Sequence, residues 1–215
     1  MRYPIPHPIW LFNLHDNYPE TGGYWNPPSL FDLAQKTGFD IESLILSFAL
    51  GGIGAGLYNA VNRAGFLSIS KKTIKLPAHR LHRVVLFLPF VVFIAAQFFP
   101  WNPIYAGILA MFSGALGTII CRPDLLRKTF LGGLIFLLLY SIFLIGLEVL
   151  SPGYVARYWN WNAISGIRIS KFPIEEFLFA ISFGMYWSSV YEHLAWMTPT
   201  FNQTTKSKLH SHQNE

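Results

Sequence analysis

Apolar residues along this chain come in long blocks, without the alternation of a half-buried strand. Five blocks read as membrane-spanning helices, at residues 43–61, 84–99, 104–121, 129–150 and about 174–197. Roughly 17–25 apolar residues suffice to cross a bilayer. The expected fold is an all-α integral membrane protein of about five transmembrane helices with a degenerate internal repeat. The repeat is read from Phe39-Asp40-Ile41-Glu42 and Phe172-Pro173-Ile174-Glu175, which open the first and last blocks. Gly51 and Gly184, and Tyr58 and Tyr191, follow at the same offset. Each copy is preceded by Tyr-Trp-Asn, at residues 24–26 and 158–160, one residue out of register.

The segments between the blocks set the organisation. Residues 1–61 form an interfacial, proline- and aromatic-rich start plus the first span, the degenerate copy. Its first 40 residues do not read as a secretory leader. Residues 62–83 are a basic loop facing the cytoplasm, and His79 and His82 are expected to be solvated within it. Residues 84–197 form a four-helix membrane domain with the complete copy, and residues 198–215 a polar, disordered tail. The run Gly51-Gly52-Ile53-Gly54-Ala55-Gly56 lies inside an apolar block, so it predicts close helix packing and no nucleotide loop.

Composition agrees with a membrane protein. The chain is 52% hydrophobic and 13% charged, against about 25% charged in an ordinary soluble domain. The net charge of +5 comes from loops between apolar blocks, so no nucleic-acid partner is expected. Eleven of the sixteen Lys and Arg residues fall in 62–83, 122–128 and the tail. The bias predicts an outer amino terminus and a cytoplasmic carboxy terminus. A single cysteine, Cys121, excludes a disulfide framework within the chain and any multi-cysteine metal site. No metal site is expected.

With that orientation Glu42, Glu148, Glu175 and Glu176 all approach the outer interface. Carboxylates at the edge of a span are costly and point to function. Glu is also favourable in the first turn of a helix, and Pro173 suits the first helical position, so the motif serves equally as a helix start. Adjacent carboxyls in a dry site favour one neutral acid; in a wet site no such acid exists. Trp159, Trp161, Phe172 and Phe179 crowd the same end, with Asn160 among them. Their rings suit either a cation-shielding wall or an interfacial belt.

The run Trp159-Asn160 through Ser165-Gly166-Ile167, followed by Phe172-Pro173-Ile174-Glu175-Glu176-Phe177-Leu178-Phe179, resembles the membrane-embedded lycopene cyclase domain of heterodimeric or fused type. The resemblance spans about residues 104–197 and is weaker over 20–60. It implies that the ends of a linear carotenoid close into rings without net redox change. It further implies that Glu175 or Glu176 is the acid, with Glu148 as the other polar partner and Glu42 as the counterpart in the first copy. On this reading Trp159, Asn160, Trp161, Phe172 and Phe179 contact the substrate. No flavin-binding pattern is present, and no cofactor is expected.

The first copy lacks the proline and the second carboxylate, at Asp40-Ile41-Glu42-Ser43. A second chain, like or unlike, would then complete a full site. The expected partners are the lipid bilayer and a carotenoid or isoprenoid. The alternative is a non-catalytic membrane protein that binds an isoprenoid or assists a partner enzyme. A channel lacks mid-span charges here, and no lysine lies within a span to hold retinal.

Overall fold

The computed structural model describes residues 24–25, 30–33, 41–74 and 77–201. Most of the aromatic start and the tail beyond 201 lie outside the described residues. Five helices of fifteen residues or more organise the rest: α1 (Ile41–Asn62), α2 (His82–Ala96), α3 (Pro103–Cys121), α4 (Leu126–Leu150) and α5 (Ile174–Ala195).

Three helical segments are long and apolar enough to cross a membrane: Ile41–Asn62, Pro103–Cys121 and Pro123–Leu150. Helices also form at the other two expected spans, but neither meets that measure. Helix α2 has 15 residues and so reaches only about 22 Å, short of a hydrocarbon core of about 30 Å. Helix α5 has the length but carries Glu175, Glu176, Glu192 and His193, all buried. Its environment explains this composition. It packs against α1, α3 and α4, so protein rather than lipid receives its polar groups. The lipid-like exposure falls on its neighbours, as at Leu134, Leu138, Ile142 and Val149 of α4.

Small residues allow the central contacts. A Cβ at Gly184 of α5 would lie 2.5 Å from Phe136 Cβ and 2.8 Å from the Gly132 carbonyl oxygen of α4. In the glycine run of α1, a Cβ at Gly54 would lie 2.8 Å from Phe183 Cε1, whereas Gly51, Gly52 and Gly56 have nothing within 4 Å. The packing expected of the whole run therefore rests on Gly54. Helix α3 starts on Asn102, whose side chain accepts from the Ile104 N–H at 3.1 Å, with Pro103 at the first helical position. That cap satisfies one of the free amide donors of the first turn.

Two loops differ from expectation. The basic loop contains strand β1 (Ala64–Ser68), and a hairpin of β2 (Arg168–Ile169) and β3 (Phe172–Pro173) precedes α5. Strand β1 pairs antiparallel with β4 (Met197–Phe201), so the first residues assigned to a disordered tail are ordered. Arg122 and Lys128, counted with solvated loop charges, are each 1% exposed. Lys128 forms an ion pair with Glu192 and donates to Asn59 Oδ1 at 2.9 Å. Arg122 binds Asp124 through two hydrogen bonds, at 2.8 and 2.6 Å, and donates to the Met197 carbonyl. Cations leave water only when paired in this way.

Candidate active site

The two carboxyls that begin α5 diverge by about 100°, as successive helical residues must. Both are buried, but in different surroundings. Glu176 Oε2 accepts from the Tyr140 hydroxyl at 2.6 Å, and its Oε1 accepts from the Trp159 indole N–H at 2.8 Å. Glu175 Oε1 accepts from the Tyr105 hydroxyl at 2.6 Å and from the Ser165 amide at 2.9 Å.

Glu176 lines a cavity of about 740 Å³ bounded by α1, α4, the start of α5 and the Tyr24-Trp25 segment. Its walls are largely apolar and aromatic, including Trp25, Leu50, Phe136, Tyr140, Trp159 and Phe179. Glu42, in the first turn of α1, also lines it. Its Oε1 accepts from the Leu30 amide at 2.6 Å. Glu175 is absent from the walls; it faces α3 and the loop that carries Ser165.

The remaining expected site residues separate clearly. Trp159 and Phe179 line the cavity. Phe172 is buried in a cluster with Leu144, Val155 and Trp159, behind the wall. Asn160 uses its side chain to accept from the Asn162 amide at 3.3 Å. Trp161 lies under the Arg168 guanidinium, 4.0 Å from its ring centroid. Glu148 does not join the carboxyl pair. It accepts from the Gly153 amide at 3.0 Å and the Val155 amide at 3.3 Å, and it pairs with Lys171 at 3.3 Å. It thereby ties the chain leaving α4 to the hairpin before α5.

Tyr24 and Trp25 meet the second Tyr-Trp-Asn segment. Trp25 and Trp159 form an antiparallel bridge with ring centroids 5.9 Å apart. The Asn160 N–H donates to the Tyr24 carbonyl at 2.8 Å.

Residues 102–194 match the family model of lycopene cyclase. This segment therefore carries a lycopene cyclase family domain. No curated protein and no solved structure matches the chain. The lycopene cyclase segment includes α3, α4 and nearly all of α5, and so contains Glu175, Glu176, Tyr105, Tyr140 and Trp159. Helix α1, which brings Glu42, lies before it.

Tyr140 and Tyr105 are the polar contacts that sequence reasoning missed. Tyr140 is the single tyrosine of the apolar block 129–150. A phenol in an otherwise hydrocarbon span needs a buried acceptor, and that was the available signal.

Proposed function

We propose that this chain is a membrane-embedded cyclase for the end group of a linear carotenoid or related isoprenoid, with Glu176 as the acid. One observation carries the reading: a buried carboxyl, held by two donors, on the wall of a largely apolar, aromatic cavity. The Glu176 proton passes to the terminal alkene, whose π electrons form the new C–H bond. The neighbouring double bond attacks the resulting tertiary cation and closes the ring. A base then removes a proton from the ring and restores the alkene, so the reaction involves no net redox change.

The polar and aromatic residues at and near the wall divide the roles in this scheme. Tyr140 and Trp159 stabilise the carboxylate that Glu176 becomes as it gives up its proton. Ring faces of Trp159, Tyr140 and Phe179 stabilise the passing cation. Glu42, the other carboxyl on the wall, is the base. Glu175 and Glu148 are positioning residues that hold the segment leading from α4 to the hairpin. No cofactor takes part.

The membrane arrangement belongs to the same proposal. The chain would cross the bilayer several times, with α5 sheathed by its neighbours, the amino terminus outside and the carboxy terminus cytoplasmic. The charge bias supports that orientation. Pairing between residues 24–25 and 159–160 supports the internal repeat. A second copy or a partner chain would extend the cavity for the rest of a long polyene.

A second reading, an isoprenoid-binding protein without turnover, is favoured by the engagement of Glu42 with the Leu30 amide. Pigment analysis of lycopene-producing cells separates the two. The cyclase reading expects cyclic product with the wild type and with Glu175→Gln at a reduced level, and none with Glu176→Gln. Unchanged lycopene with a wild type confirmed in the membrane would overturn it.

A further inference from the structure

A second group of chemistry-bearing side chains lies at the other end of α5, 17 residues from Glu176 and therefore about 26 Å along the helix. His82 from the start of α2, Cys121 from the end of α3 and His193 from the end of α5 are 7%, 3% and 1% exposed. One ligand atom from each lies within 4.8 Å of the others. The sequence separates these residues by 39 and 72 positions, and His82 was expected in a solvated loop. Instead it is buried, stacked on Trp196 at 4.0 Å and edge-on to His193 at 4.5 Å.

We propose that His82, Cys121 and His193 form a binding site for a borderline-soft divalent transition metal of the zinc class, with His79, which contacts Cys121 Sγ but lies outside the three-residue cluster, moving in as the fourth ligand. The spacing fits. Tetrahedral geometry with Zn–S of about 2.3 Å and Zn–N of about 2.05 Å sets sulfur and nitrogen about 3.6 Å apart. Cys121 Sγ lies 3.5 Å from His82 Nδ1 and 3.7 Å from His79 Nδ1.

Hydrogen bonding supports the same assignment. The Thr118 hydroxyl meets His193 Nδ1 at 3.2 Å and orients the ring as an outer partner of a metal-bound histidine does. The buried His193 Nε2 has no hydrogen-bond partner among the described residues. An orphaned buried nitrogen is unusual, and a metal would satisfy it. A cluster held by hydrogen bonds alone leaves that nitrogen unpaired. Imidazole and thiolate donors without a carboxylate select zinc-class ions over magnesium or calcium. The neighbouring Arg122 is already neutralised by Asp124.

On binding, Cys121 releases its thiol proton to water and ligates as thiolate. The ion would fasten the Pro77–His79 turn and the start of α2 to the ends of α3 and α5. Its role is structural and independent of the chemistry at Glu176.

The test uses the full chain in detergent, without a histidine tag and with His210→Gln and His212→Gln to remove competing tail ligands. The protein is titrated with Zn²⁺ and with Co²⁺. The site predicts one ion per chain and a thiolate-to-cobalt charge-transfer band. Cys121→Ser should abolish the band and weaken Zn²⁺ binding about 100-fold, and Thr118→Val should weaken it about 10-fold. Should Cys121→Ser misfold, cyanylation of Cys121 in the otherwise intact chain supplies the readout, and Zn²⁺ should protect the thiol. Absence of uptake by the folded chain, or Zn²⁺ binding without thiol protection, would overturn the proposal. Cyclase activity enters none of these readouts.

Discussion

Replacing Tyr140 by Phe deletes one oxygen atom from the cavity wall and leaves the ring. That ring packs near Phe136, Phe143 and Phe179, at centroid distances of 6.2, 6.0 and 6.0 Å, so its apolar contacts persist. What disappears is the donor to Glu176 Oε2 at 2.6 Å. A hydrogen bond to a charged acceptor contributes about 1.5–3 kcal/mol. In the proposed mechanism Glu176 gains its negative charge as it releases the proton, so the lost interaction acts on the transition state. At about 1.36 kcal/mol per tenfold, turnover should fall about 10- to 200-fold. Initial rates on lycopene in vesicles read the effect, with thermal unfolding as a control on folding. Tyr105→Phe is the internal comparison, because its hydroxyl serves Glu175 outside the cavity; its effect should be several-fold smaller. Turnover in Tyr140→Phe within twofold of wild type would refute the reasoning. Equal losses in the two variants would refute it as well.

Gly184→Ala places a methyl group against Phe136 and the Gly132 carbonyl; such overpacking should cost about 1–3 kcal/mol, read as a lower melting temperature in detergent. Glu192→Leu leaves the buried Lys128 unpaired and should cost about 3–5 kcal/mol. Adding Lys128→Met should recover much of that loss in a double-mutant cycle of thermal stability. Glu148→Ala frees the Gly153 and Val155 amides and should lower the melting temperature slightly while cyclic product still forms. Lys171→Ala should change stability by less than about 0.5 kcal/mol, because its ammonium is largely exposed.

Much of the scaffold was legible in the hydrophobic blocks. Helices at 41–62, 103–121, 126–150 and 174–195 fall close to the expected 43–61, 104–121, 129–150 and 174–197. Boundaries survived because apolar runs end at recognisable signals, such as Asn102-Pro103 and Pro173. Crossing was less legible than helicity. Residues 84–99 are apolar, but the helix there ends at Ala96, and hydropathy alone does not reveal that α5 is sheathed by protein.

The site was legible in its residue types more than in its geometry. A doublet of glutamates marks a helix start, but which one meets the cavity depends on the rotation of α5 against α1 and α4. Glu148 looked like a fellow acid because topology brought it to the same end. Its actual partners are amides five and seven residues onward, a local contact that a search for acid pairs passes over. His82, Cys121 and His193 come from three helix ends far apart in the chain, so no local spacing pattern could announce them. Arg122 and Lys128 read as loop cations because their partners, Asp124 and Glu192, are fixed only by tertiary packing.

In the proposed reaction Glu176 delivers a solvent-derived proton to a polyene end group. The most direct measurement is cyclisation of lycopene by the membrane-reconstituted chain in D₂O, with mass spectrometry of the product. The wild type should give one deuterium per ring formed, and Glu176→Gln no labelled cyclic product. Unlabelled cyclic product from the wild type, or labelled product from Glu176→Gln at the wild-type rate, would contradict it.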